Sequence, residues 1–262
     1  MGDGYSQLNI HVTMKKFRAD LHVHTVLSPC ADVAMIPPLI VQNALEHNID
    51  LIAITDHNSS ANVGAVQKAT EGTSLTVLPG MEVQSREDVH LLTLFENLDA
   101  LEAWQDQVNN ALPDLPNQPG FFGEQFVVDE TGDFIRSEPR LLLTSTRFSI
   151  DEIFERVHSL GGLVIPAHVE RFSYGLFPTL GLISEKWQLL ALEISRHITP
   201  EKAIATYPAL RNYELIQDGD VHQLDDFLGT TIFTLAAPTL AEMRLAFHHM
   251  DERDVYVGSQ SH

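Results

Sequence analysis

Leu51-Ile52-Ala53-Ile54-Thr55-Asp56-His57 decides the fold: four aliphatic residues without a polar interruption, followed at once by an acid and an imidazole. A short continuous apolar run reads as a strand buried on both faces, the kind found in parallel sheets covered by helices. A histidine just past its end stands where α/β barrels collect catalytic groups, at the C-terminal rim of the strands. Asp56 reads as a cap of the following loop.

The same design repeats outward along the chain. Apolar, β-rich runs occur at Asp20–His24, Leu75–Pro79, Val89–Phe95, Leu163–Ala167, Ala191–Ile194, Leu215–Gln217 and Thr231–Leu235. Most are followed by polar residues and a helix-like stretch, the pattern of parallel strands with crossover helices, and this many strands suits a barrel. Ser149 with Glu152 and Thr239 with Glu242 have the spacing of capping boxes, Gly161-Gly162 supplies a stop for the first of these helices, and Pro37-Pro38 opens another that runs to about His47. The expectation is one α/β domain over residues 1–262. Residues 97–147, helical over Leu98–Ala111 and then rich in proline and glycine, read as an inserted subdomain or lid.

Strand ends carry the chemistry. His22 and His24, two apart on a strand, project from one face and can grip one ion. A His-x-His pair alone reads equally well as two hydrogen-bonded histidines, and Glu82 alone as a solvated loop acid. Together with His57, His90 at the opening of its strand, His168 after Leu163–Ala167, and Asp220-Val221-His222 after Leu215–Gln217, they form a series of imidazoles and carboxylates at successive strand ends. Such a series predicts a metal centre.

Composition narrows the function. The 36 acidic and 16 basic residues give a formal charge of −20, which argues against a surface that neutralises many backbone phosphates, so a long nucleic-acid substrate is not expected. Cys30 is the single cysteine, which excludes an intrachain disulfide and a thiolate-rich zinc site. With no secretory-type leader or membrane-length apolar run, the expectation is a cytoplasmic protein without membrane contact, and nothing in the sequence sets an oligomeric state.

The order His22-x-His24, Asp56-His57, Gly80-x-Glu82, His90, Pro166-Ala167-His168 and Gly219-Asp220-x-His222 resembles the signature of the PHP (polymerase and histidinol phosphatase) family over nearly the whole chain. One departure is Gly219-Asp220-Val221-His222, where relatives usually have Ser-Asp-Ala-His. The resemblance implies a distorted (β/α)7 TIM-like barrel holding two to three divalent ions (zinc, manganese or iron), with hydrolysis of phosphate esters as the commonest activity. It places one ion among His22, His24, Glu82 and Asp220, with Glu82 bridging to a second held by His90 and His168, and a third at His57 and His222. The last ligand of that third site is expected from the loop after the first strand. Asp32, in Asp32-Val33-Ala34-Met35-Ile36-Pro37, matches that place best, and Cys30 is its competitor, because a thiolate suits zinc but not manganese or magnesium.

The expected function is therefore hydrolysis of a small phosphorylated substrate, a nucleotide or a sugar or metabolite phosphate, by metal-activated water. Arg171, three residues after His168, is expected to clamp the phosphate, against the alternative of pairing with Glu170, and Arg196 is a similar candidate from the next strand end. Arg171 and His222 are the groups expected to act in catalysis. Two rival readings share the ligands: an amidohydrolase-type enzyme cutting carbon–nitrogen bonds, and a non-catalytic metal-binding module that docks on a partner.

Overall fold

Uninterrupted aliphatic residues leave Leu51–Ile54 no polar face, and the chain buries both of its sides. In a computed structural model that describes residues 13–258, Leu51 and Ala53 join one apolar cluster while Ile52 and Ile54 join another. That alternation is the period-two geometry of a strand. The first of these clusters draws residues from nine strands, so the strands curl around a shared interior, and the helix Leu240–Phe247 contributes Leu240, Met243, Ala246 and Phe247 to it.

The strands are β1 (Lys15–Val23), β2 (Leu51–Ile54), β3 (Thr76–Gln84), β4 (His90–Leu94), β5 (Phe126–Val128), β6 (Phe134–Ser137), β7 (Leu163–Pro166), β8 (Ala191–Ile194), β9 (Glu214–Gln217), β10 (Thr231–Leu235) and β11 (Asp254–Val257). A seven-stranded sheet runs β11-β10-β1-β2-β3-β4-β7, and β8 pairs with β9 in a separate parallel ribbon. Backbone and side-chain bonds join the ribbon to its neighbours: the Val169 N–H donates to the Glu193 carbonyl and the Gln217 N–H to Thr231 Oγ1, both at 2.9 Å.

All eight runs read from the sequence are strands. The arrangement is an α/β fold with a curled sheet, and it departs from a uniformly parallel (β/α)7 barrel. Only β1–β2 and β2–β3 pair in parallel within the seven-stranded sheet. β3 and β4 are antiparallel because residues 85–89 are too few for a crossover helix, which a parallel connection needs. One consequence matters for the site: since β4 runs backwards, its first residue, His90, lies at the same rim as the end of β3. Gly80 permits this packing, because a Cβ there would sit 2.9 Å from side-chain atoms of both Leu94 and Thr55.

Ser149 and Glu152 form the complete capping box. Thr239 caps its helix, yet Glu242 turns away to accept two bonds from Arg253 at 2.9 Å, so the second arm of that box is absent. Within residues 97–147, the helix Leu98–Ala111 packs Leu101, Trp104 and Val108 into the main core, and Trp104 Nε1 donates to Thr93 Oγ1 at 3.1 Å. The remainder carries the short helix Pro119–Phe122 and the β5–β6 hairpin, which Asn62 ties down through Phe126 O and Val128 N, each at 3.0 Å. No helix among the described residues is long and apolar enough to cross a membrane.

Trp104→Ala is expected to cost about 3–5 kcal/mol in equilibrium urea unfolding, because it empties a fully buried indole site. Phe121→Ala, at an 81% exposed position, should stay within about 0.5 kcal/mol of the parent.

Candidate metal centre

Eight of the nine ligand positions read from the sequence meet at one rim. His22 lies near the end of β1 with His24 just beyond it, His57 follows β2, Glu82 lies inside β3, His90 opens β4, His168 follows β7, and Asp220 and His222 follow β9. Three of the turns that deliver side chains here use the left-handed region at non-glycine residues: His168 (φ 31°), Tyr174 (φ 62°) and Asp220 (φ 49°). Such conformations persist only where the surroundings hold them, and they gather at functional sites.

Glu82 is the hub. It is buried, not a solvated loop acid, because the β3–β4 pairing carries the strand on to Gln84. Its Oε1 lies 3.3 Å from His22 Nε2 and 2.8 Å from His90 Nδ1, and its Oε2 lies 3.5 Å from His24 Nε2 and 2.8 Å from His57 Nδ1. Asp220 Oδ1 stands 3.3 Å from His22 Nε2 and 3.5 Å from His24 Nε2. Ligands about 2.0–2.2 Å from a tetrahedral ion are about 3.3–3.6 Å apart, so these four side chains have the mutual spacing of one coordination shell.

Burial without partners supports the same reading. His22 Nε2, His24 Nε2, His90 Nε2, His168 Nδ1 and both Glu82 oxygens are buried with no aligned hydrogen-bond partner. Buried polar atoms are normally satisfied, and a cluster of unsatisfied ones calls for an explanation in the chemistry of the site, such as an ion. Three sets of ligand atoms lie close enough to share an ion: His22, His24 and Asp220; His57, Glu82 and His90; and His24, His57 and His222. The second set contains His57 where the family resemblance implies His168, whose Nε2 stands 3.4 Å from Glu82 Oε1.

Outer residues fix the rings. Glu193, wholly buried on β8, contacts His22 Nδ1 at 3.1 Å through each oxygen and accepts the His168 N–H. His24 Nδ1 meets Ser28 Oγ at 2.9 Å, and Ser28 donates on to Asp56 at 2.7 Å. Both arrangements place the ring proton on Nδ1 and aim the Nε2 lone pair inward, as metal-binding histidines require. Asp56 thus caps a loop, but the one after β1, through Thr25 and Ser28.

Neighbouring charge divides the titrating groups. Burial pushes Glu82 up, yet His90, His22 and His57 outweigh it and hold the carboxyl well below its ordinary range. Burial lowers His22, but Glu193, Glu82 and Asp220 raise it well above the usual imidazole value. Burial, with His222 beside it, keeps His24 well below that value, and burial takes His90 down to about 4. Cys30, raised by burial, is brought down to about 6 by His57 and His222.

Asp32 does not join the cluster. Its side chain is exposed and accepts the Ala34 N–H at 2.8 Å, a local turn two residues long, whereas Cys30 Sγ lies 3.1 Å from His222 Nε2. His222 is poorly placed as a proton donor as well, because Asp220 O occupies Nδ1 at 2.8 Å and Cys30 faces Nε2. Arg171 donates to Asp220 Oδ2 at 2.6 Å, leaving Oδ1 to face the histidines. Arg196 bonds Asp226 at 2.7 Å and takes no place in the cavity. Sequence reading missed Glu193, although an acid inside the apolar run Ala191–Ile194 was its signal, and it missed Tyr174, whose ring stacks on His90 at 4.3 Å.

The cluster forms the floor of a cavity of about 330 Å³ walled by Phe122, Leu143, Arg171 and Tyr174. A family model described as PHP domain matches residues 20–199. The 5'-3' exoribonuclease Rnm of Salmonella typhimurium is 32% identical over 85 residues, which cover 30% of this chain and 27% of that relative. Its Escherichia coli counterpart is 31% identical over the same length. The matched stretch thus spans about a quarter of these curated relatives. Among solved structures, the lesion-specific endonuclease PfuEndoQ from Pyrococcus furiosus superposes with a TM-score of 0.69 at 17% identity, covering 92% of this chain and 58% of that one. An amidohydrolase from Chromobacterium violaceum gives 0.56 at 15% identity, covering 92% and 98%.

These relatives overturn the expectation of a small phosphorylated substrate with long nucleic acid set aside: one is an exoribonuclease, and endonuclease Q is solved with a 27-mer duplex at its active site. Net charge misled because it sums the whole surface, whereas a phosphate is met locally, and the cavity is lined by imidazoles and Arg171. With the match over residues 20–199 added to the ligand order along the strands, this chain belongs to the PHP domain family.

Proposed function

We propose that the chain is a metal-dependent phosphoesterase that cleaves phosphoester bonds of nucleic acid and engages few nucleotides at a time. The observation that carries the reading is the convergence of buried, unpaired Nε2 atoms and Glu82 oxygens beneath an open cavity. The nuclease relatives support the substrate class. His22, His24, Glu82 and Asp220 would hold one ion, His90, His168 and Glu82 a second, and His57 with His222 a third. Mixed imidazole and carboxylate ligands suit zinc, manganese or iron. Such ions supply Lewis acidity, lowering the pKa of water and screening the charge that develops on a transferred phosphoryl group.

The chain's own residues do the rest. Arg171 is the one arginine or lysine among the residues that line the cavity, and its guanidinium has donors beyond the one given to Asp220, so it can meet a phosphoryl oxygen while positioning that ligand. Phe122 and Leu143 belong to residues 97–147 and wall the cavity, which supports a lid-like role for that stretch. One cationic side chain implies recognition of a single phosphate, consistent with an acidic protein acting on nucleic acid.

Purified protein should hydrolyse a short single-stranded oligonucleotide with added manganese or zinc and lose turnover to a chelator; no cleavage with any divalent ion would sink the proposal. Glu82→Gln should lower kcat/KM by at least about 100-fold, and Glu193→Gln should weaken metal binding by about 10- to 100-fold in calorimetry, since it frees the His22 tautomer. Arg171→Ala is expected to cut kcat/KM on the oligonucleotide by about 10- to 100-fold, without rescue by Arg171→Lys because the ammonium cannot span both oxygens. With one phosphate contact, a plot of log kcat/KM against log salt should have a slope near about −1, and a slope several times steeper would contradict this mode of binding.

A further inference from the structure

We infer that Cys30 is a thiolate ligand, so that the position formed with His57 and His222, beside His24, takes zinc-like, thiophilic divalent ions in preference to manganese or magnesium. This rests on the metal-centre reading above and adds sulfur to it. The thiol stands 3.1 Å from His222 Nε2, and Cys30, His57 and His222 line the same cavity. An independent observation points to the same place. His24 is wholly buried, its Nε2 has no partner, and one ligand atom from each of His24, His57 and His222 lies within 4.8 Å of the others.

The backbone presets the sulfur beside these rings. The Asp32 N–H donates to the His222 carbonyl at 2.8 Å, the Ala31 N–H donates to Ser28 O at 2.9 Å, and Gly123 packs so closely on Pro29 that a Cβ would sit 2.1 Å from its carbonyl oxygen. The segment on either side of Cys30 is therefore pinned to the strand end that carries His222 and to the short helix Pro119–Phe122. The Asp32 side chain is exposed, and its carboxylate accepts the Ala34 N–H. Soft thiolate joined to imidazoles selects zinc and its thiophilic analogues, whereas manganese and magnesium prefer oxygen. Binding sends the S–H proton to solvent and the sulfur lone pair to the ion.

Cys30 is the single cysteine of the chain, so any sulfur-to-metal signal must be its own. The full chain, loaded with cobalt as a zinc analogue, should show an intense near-ultraviolet thiolate-to-cobalt absorption. Cys30→Ser should lose that band together with about one bound equivalent, while the remaining ions stay. In the parent protein, zinc should block alkylation of Cys30 by iodoacetamide and manganese should not, a measurement that holds even where the variant folds poorly. Cobalt bound without the band, or alkylation that zinc leaves unchanged, overturns the sulfur ligand while the metal centre stands. Failure of cobalt to bind at all overturns both.

Discussion

A carboxylate buried among imidazoles sets the terms for everything else at this rim. Moving an isolated ionised carboxylate out of water costs on the order of tens of kcal/mol in a medium of low dielectric, and a protein tolerates it only with compensating positive charge. Glu82 is walled by five histidines, with His57 and His90 nearest. Those rings cannot all be protonated, for they crowd one another: His24 and His57 lie at 4.6 Å and His22 and His24 at 5.1 Å. Burial and mutual repulsion keep His24 and His90 neutral while His22 and His57 take protons. A divalent ion resolves this conflict better than protons do, because it gives Glu82 its countercharge and lets every imidazole stay neutral.

The supporting architecture follows from that demand. Glu193 and the Ser28–Asp56 pair hold His22 and His24 with their protons outward. Two more buried acids serve the backbone that carries these ligands: Asp20 accepts the Gly219 N–H and Asp218 the Leu21 N–H, each at 2.9 Å, lacing β1 to the loop after β9. Burial raises Asp20 to about 6 and holds Asp218 well above the ordinary carboxylate range, Asp20 adding to the latter.

Much of this was legible in the chain because strand burial and strand-end chemistry are local. Leu51–Ile54 needed no tertiary knowledge to be read as buried on both faces, and the histidines after each run declared a common rim. What escaped depends on contacts between distant segments. The reversal of β4 is set by a short connection, and the alternation of apolar runs is blind to direction. β11 and the β5–β6 hairpin are brief and half exposed, so they lack a clear hydrophobic signal. Asp32 has the right spacing from its proline, but spacing does not show that its carboxylate accepts the Ala34 N–H while the Cys30 thiol faces His222. Arg171 lay in the expected loop, yet its partner Asp220 is 49 residues away and invisible to local reading.

The bond between Arg171 and Asp220 has one further implication. Asp220 divides its two oxygens between a guanidinium and a pair of histidines, so the arginine and any ion at His22 and His24 draw on the same charge. An ion seated there weakens the hold of Asp220 on Arg171 and frees the arginine for an incoming anion. By thermodynamic reciprocity, an anion that takes Arg171 leaves Asp220 a stronger partner for the ion, by the same factor. On the proposed function, loading of metal and capture of an anion would be two faces of a single coupled equilibrium, written into one carboxylate.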